Sequence, residues 1–162
     1  MQPDPDEGLW DFRFEPPPGF VWREELMPID SYGKVWRAAG ITEFGVSLDG
    51  YAGRPRCTGA PCREWQEPFS NGVATIVRDA WVRQEDGINS TLNVYFPVIQ
   101  RHGQVTLALT IMASCTSKAA CDRALAVART VRVVRRSAHE DRNDRGDRIG
   151  RAPVVAAAAG QA

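Results

Sequence analysis

Apolar and polar positions alternate with a period of two through most of residues 73–114. Val73 to Arg83 sets Val73, Thr75 and Val77 opposite Ala74, Ile76 and Arg78. Ser90 to Gln100 carries Leu92, Val94, Phe96 and Val98 on one face. Gln104 to Ser114 does the same with Val105, Leu107, Leu109, Ile111 and Ala113. Successive side chains of a strand point to opposite sides, so the pattern predicts three half-buried strands. Asp86-Gly87 and Arg101-His102-Gly103 read as the turns between them, giving an antiparallel meander. Pro97 has no amide proton to give a ladder, so its strand is expected to lie near an edge or to bend there.

After Ser114 the period changes. Cys121, Ala124, Leu125, Ala128 and Val131 fall at helical spacing and form one apolar stripe. Thr116 or Ser117 supplies the cap, accepting a bond from an otherwise unpaired amide. Arg123, Arg129 and Arg132 fall off the stripe, towards solvent.

The N-terminal half is less regular. Residues 1–10 combine Pro3, Pro5 and clustered acids and read as disordered. Phe12-Arg13-Phe14-Glu15 alternates as a short strand, which Pro16-Pro17-Pro18-Gly19 stops before Phe20-Val21-Trp22. Residues 30–40 fit two elements. One is a short helix capped by Asp30 or Ser31, carrying Val35, Trp36 and Ala39 and closed by Gly40. The other is a strand, which suits Tyr32, Val35 and Trp36. The helix is the reading adopted. Phe44, Val46 and Leu48 alternate with Gly45, Ser47 and Asp49 as a strand ending at Asp49-Gly50. Residues 51–72, rich in Gly, Pro, Arg and Cys, read as a long loop, and residues 137–162 as a disordered tail. The expectation is a single α+β domain over 11–136. An antiparallel sheet is packed by a C-terminal helix and one short N-terminal helix.

Composition narrows the class. An apolar share of 43% over 162 residues suffices for one core. The net charge of zero is uneven: residues 1–131 hold 16 acids and 13 bases, and residues 132–162 hold 7 Arg and 4 acids. The folded part is therefore slightly acidic, with no basic stripe for nucleic acid. No apolar run reaches membrane-spanning length. Lysine occurs only at Lys34 and Lys118 against many arginines, the bias of a GC-rich bacterial genome.

The four cysteines fall into two close pairs, and short loops close easily. Disulfides Cys57–Cys62 and Cys115–Cys121 are expected, although four cysteines permit three pairings. Disulfides persist in oxidising compartments, which places the chain in the periplasm or outside the cell. The polar, acidic start is no signal peptide, so on this reading the chain is the mature form. The alternatives are a site with four thiolates on zinc, for which the Cys115/Cys121 spacing is too wide, and free buried cysteines. Neither a metal nor a cofactor is expected.

Candidate chemistry is sparse. His102 lies in a predicted turn and His139 in the predicted tail, away from the rigid partners a catalytic imidazole needs. Gly45-Val46-Ser47-Leu48-Asp49 has Asp49 where a nucleophile elbow needs Gly. Glu64 and Glu67 flank Trp65 and are the carboxylates a small hydrolase would use. The stapled loop is the most distinctive surface. Arg56, Arg63, Trp65 and Phe69 are residue types that anchor protein interfaces, and the disulfide would pre-order them. The alternative is that Trp65 and Phe69 fold back as a lid over the sheet.

Two pieces resemble the PsbP-like fold of small exported or accessory bacterial domains. One is the strand and proline–glycine corner Phe12–Phe20; the other is the strand Val105–Ala113 with the helix through Leu125 to Val131. The resemblance implies an α/β sandwich with binding or accessory roles. It identifies no site residues, and the cysteine pairs stand outside its usual pattern.

These readings converge on a non-catalytic exported binding protein of the bacterial envelope. Its sharpest form is an inhibitor or immunity protein neutralising a secreted toxin or hydrolase encoded nearby. An accessory subunit of an envelope or secretion complex and a small hydrolase are the alternatives.

Overall fold

The computed structural model describes residues 5–26, 31–50, 53–57, 61–83 and 87–136. The chain forms two antiparallel meanders joined into one sheet. The first runs through β2 (Val21–Leu26), β3 (Ser31–Ala38) and β4 (Ile41–Asp49). The second runs through β5 (Cys62–Phe69), β6 (Gly72–Arg83), β7 (Gly87–Arg101) and β8 (Gln104–Cys115). β4 pairs with β8, giving the order β2-β3-β4-β8-β7-β6-β5. A separate ribbon pairs β1 (Trp10–Arg13) with β9 (Arg132–Arg135). One helix, α1 (Lys118–Ala128), packs on β7, β8 and β4. The protein is thus largely antiparallel β, with its one described α-helix in the C-terminal half.

The predicted C-terminal meander is present and longer than expected. The sheet's face against α1 holds Phe44, Val46, Leu92, Val94, Leu109 and Ile111, all almost fully buried. Pro97 lies in an interior strand rather than at an edge, and the bend is there. Register slips between Pro97 and Ile99, so Ile99 replaces Val98 in the core. Pairing with β6 stops at Tyr95, before the missing amide would be needed. Between Arg101 and Gln104, His102 and Gly103 both take positive φ, as a tight type I′ hairpin demands.

Three expectations are corrected. Residues 31–38 are strand, not helix; Val35 and Trp36 face opposite sides of the sheet and both are buried, which a one-sided helix could not satisfy. Among the described residues, the only helical turn before them is the short 3₁₀ segment Glu7–Leu9, inside the stretch read as disordered. Residues 62–69 are not loop but edge strand, recruited by β6 despite their charges. Val131 is not on the helix: α1 stops at Ala128, Val131 is buried beyond it, and an unexpected strand, β9, follows. Asp86 and the expected tail 137–162 lie outside the described residues.

The helix begins as predicted. Ser117 is its N-cap, its hydroxyl accepting from the Ala120 amide at 3.1 Å. Ala120, Cys121, Ala124, Leu125 and Ala128 form the buried stripe. The Cys115–Cys121 disulfide joins the last residue of β8 to the first turn of α1, with both residues buried. The β3–β4 turn clasps this corner. Gly40, at φ +75°, accepts from the Thr116 amide at 2.9 Å, and Arg123 donates to the Ala39 carbonyl at 2.6 Å. A Cβ at Gly40 would lie 3.0 Å from that of Ala120. Beside the helix, Phe14, Phe20, Trp36 and Phe44 form an aromatic cluster with ring centroids 4.8–6.4 Å apart.

Candidate functional site: the open face of the sheet

α1 covers one face of the sheet, and a strap, residues 53–57, lies over the other. β4 ends at Asp49, beyond the cross-strand row Ser47, Thr110, Tyr95 and Thr75. β5 begins at Cys62, in the row Glu43, Ser114, Thr91 and Asp79 at the other end of the strands. The end of β4 and the start of β5 therefore lie at opposite ends of the strands and four strands apart. Two interactions place the strap over the face. The Arg54 charge acts on Tyr95, and Cys57 is bonded to Cys62, its sulfur close to the Asp79 carboxylate. On this face Tyr95, Thr75 and Val77 are buried. Burial pushes the Tyr95 hydroxyl above its ordinary pKa, and the Arg54 charge offsets part of the rise.

Next to the strap the face stays open as a groove of about 360 Å³. Its floor is Gly45, Asn93 and Met112, with Glu43 and Asp79 at its sides. Met112 sits on β8, the central strand of seven, yet is 61% exposed. A large apolar side chain in the middle of a sheet is normally covered. Gly45 leaves the space beside it open, since a Cβ there would touch only the Met112 carbonyl and Val35, at 3.8 Å. Ser47 and Thr110 bond to each other through their hydroxyls at 2.8 Å. A hydroxyl paired with another hydroxyl gains no nucleophilicity; that needs a base.

The residues singled out from sequence do not gather in one place. Arg63, Trp65 and Phe69 share the helix-side face of β5, whereas Arg56 is exposed on the strap. Phe69 is 5% exposed and packs on Phe96 with ring centroids 5.3 Å apart. Trp65 is half-buried against the core, and the Arg63 guanidinium lies over its ring at 5.2 Å. Glu64 and Glu67 point to opposite faces of β5, so they cannot form a carboxylate pair across one cleft. Glu67 is held instead by Arg129, the C-cap of α1, at 3.1 Å. His102 is exposed at its hairpin tip. The sulfurs of Cys57 and Cys62 lie with an Asp79 oxygen within 4.8 Å of one another. Bonded as a disulfide, they are not the thiolates a metal ion would take.

Sequence reasoning missed Met112, because strict alternation gives it a surface position and nothing local shows that this surface is a groove floor. Comparison with protein-family models, curated proteins and solved structures found no match for the chain. Two disulfides in so short a chain point to an oxidising, extracytoplasmic compartment. No helix among the described residues is long and apolar enough to cross a membrane.

Proposed function

We propose that this chain is a non-catalytic binding domain of the bacterial envelope, periplasmic or secreted, whose open sheet face engages a protein partner. Its sharpest form is an inhibitor or immunity protein that neutralises a toxin or hydrolase encoded nearby. One observation carries the reading: an exposed Met112 on a concave floor beside a strap held by its own disulfide. Flexible methionines adapt to a partner's surface, and a pre-ordered strap loses less entropy on binding. Glu43 and Asp79 give the groove a polar rim beside its exposed methionine, the anatomy of a protein interface. The PsbP-like kinship belongs to the same proposal and rests on the N-terminal corner and the closing strand and helix.

The test is co-expression of the chain with the products of its neighbouring genes, followed by size-exclusion chromatography. A stoichiometric complex is expected. Met112→Glu should weaken it by about 30-fold or more, the loss of a central anchor. A complex that tolerates Met112→Glu, or the absence of any complex with neighbouring products and periplasmic extract, would overturn the reading.

A further inference from the structure

A second groove, of about 550 Å³, lies on the other side of the molecule between the β1–β9 ribbon and the C-terminal half of α1. Arg13 and Arg132 stand at it as direct cross-strand partners. Such residues project to the same side with Cβ atoms about 5 Å apart, and like charges there repel. Neighbouring arginines have partners: Arg129 pairs with Glu67, Arg136 pairs with Asp11, and Arg135 lies over the Trp10 ring. Arg132 donates to the carbonyls of Arg129 and Val131 at 2.8 and 3.0 Å, which fixes its guanidinium without cancelling its charge. Among the described residues, no carboxylate pairs with Arg13 or Arg132.

The rest of the groove is mainly apolar. Phe14 and Pro17 form one wall, Ala126 and Val127 the other. The wall's polar atoms are engaged: the Pro17 carbonyl accepts from the Phe20 amide at 3.1 Å, and the Thr130 hydroxyl donates to the Val127 carbonyl at 2.6 Å. A peptide backbone would find few partners here, whereas an alkyl chain needs none. Glu15 is the one acid at the groove.

We propose that this groove binds an aliphatic carboxylate, with its head between Arg13 and Arg132 and its chain along Phe14, Pro17 and Val127. Two guanidiniums present the planar donor array that a carboxylate takes in paired bonds, and the bound anion relieves their repulsion. Each methylene buried against the walls adds about fourfold in affinity. The site is separate from the open face, so either can fail without the other.

The experiment is calorimetric titration of the intact protein with dodecanoate below its micelle concentration. Saturable one-to-one binding is expected, with dodecanol at least tenfold weaker because it lacks the charge. Arg13→Ala should weaken dodecanoate at least tenfold while leaving the melting temperature unchanged, since no hydrogen bond of its side chain is lost. Val127→Asp should abolish binding. Glu15→Gln should bind as well as the parent or tighter. No saturable dodecanoate binding, equal affinity for dodecanol, undiminished binding by Arg13→Ala, or weaker binding by Glu15→Gln would each overturn the proposal.

Discussion

Arg78 of β6 donates to the Asp122 carboxylate of α1 at 2.7 Å, tying an off-centre strand to the helix that covers the sheet. Arg78 is mostly buried and also reaches the Lys118 carbonyl, whereas Asp122 is largely in solvent. The hydrogen bond from Arg78 holds the Asp122 carboxyl below its ordinary value of 3.8, burial opposing slightly. A carboxyl depressed in the folded state stabilises the fold above its unfolded pKa. That contribution is lost as the pH falls through the folded value. Asp122→Asn should cost about 0.5–1 kcal/mol at neutral pH, as surface pairs do, and flatten the acid limb of stability. Urea melts at pH 7 and pH 3 will measure this; equal losses at both would mean the pair contributes nothing ionic.

Arg54 and Tyr95 report whether the strap lies across the sheet. Removing the Arg54 charge removes what offsets the effect of burial on Tyr95, so Arg54→Gln should raise the Tyr95 pKa further. Ultraviolet titration of the phenolate, with Tyr95→Phe to assign the signal, gives the answer. Because the folded value is raised above 10.0, Tyr95 stabilises fully below that pH and loses its contribution as pH rises through the folded value.

The two disulfides should differ in reactivity. Cys115 and Cys121 are 2% and 0% exposed, while Cys57 is exposed on the strap. Thiol–disulfide exchange requires a thiolate to reach a sulfur. Mild reduction of the native protein should therefore open Cys57–Cys62 first, as alkylation and mass mapping will show. Replacing both Cys115 and Cys121 by Ala should cost about 2–4 kcal/mol.

Phe44 is fully buried at the centre of the aromatic cluster, against Phe14 and Phe20. Phe44→Ala should cost about 3–5 kcal/mol, transfer and cavity terms together. Ser117→Ala, which removes only the helix cap, should cost about 1 kcal/mol. Denaturant midpoints in that order are expected; a larger loss from Ser117→Ala would mean that it does more than cap.

Gly33 of β3 is close to Ser47 of β4, and a Cβ there would come within 2.8 Å of the Val46 carbonyl. Backbone cannot yield as a side-chain tip can, so Gly33→Ala should destabilise by about 1–3 kcal/mol through overpacking. Thermal melts will test it. A neutral result would show that β3 and β4 can separate there.

By itself the sequence determined whatever depends on near neighbours. Period-two alternation specified β4, β6, β7 and β8, because strand geometry alone sends alternate side chains to opposite faces. Ser117 announced the helix start, and the cysteine spacing announced two local bridges, since caps and short loops close within a few residues. Only the tertiary structure decided the rest. β5 is charged and contains Pro68, and it is strand because β6 offers it an edge. β9 finds its partner in β1, far away in the chain, and no periodicity encodes that pairing. The same holds for both grooves. Arg13 and Arg132 become neighbours through strand register, and Met112 becomes a groove floor because pairing sets it between Gly45 and Asn93. A local pattern fixes which way a side chain points; what it meets there depends on which distant segments pack alongside.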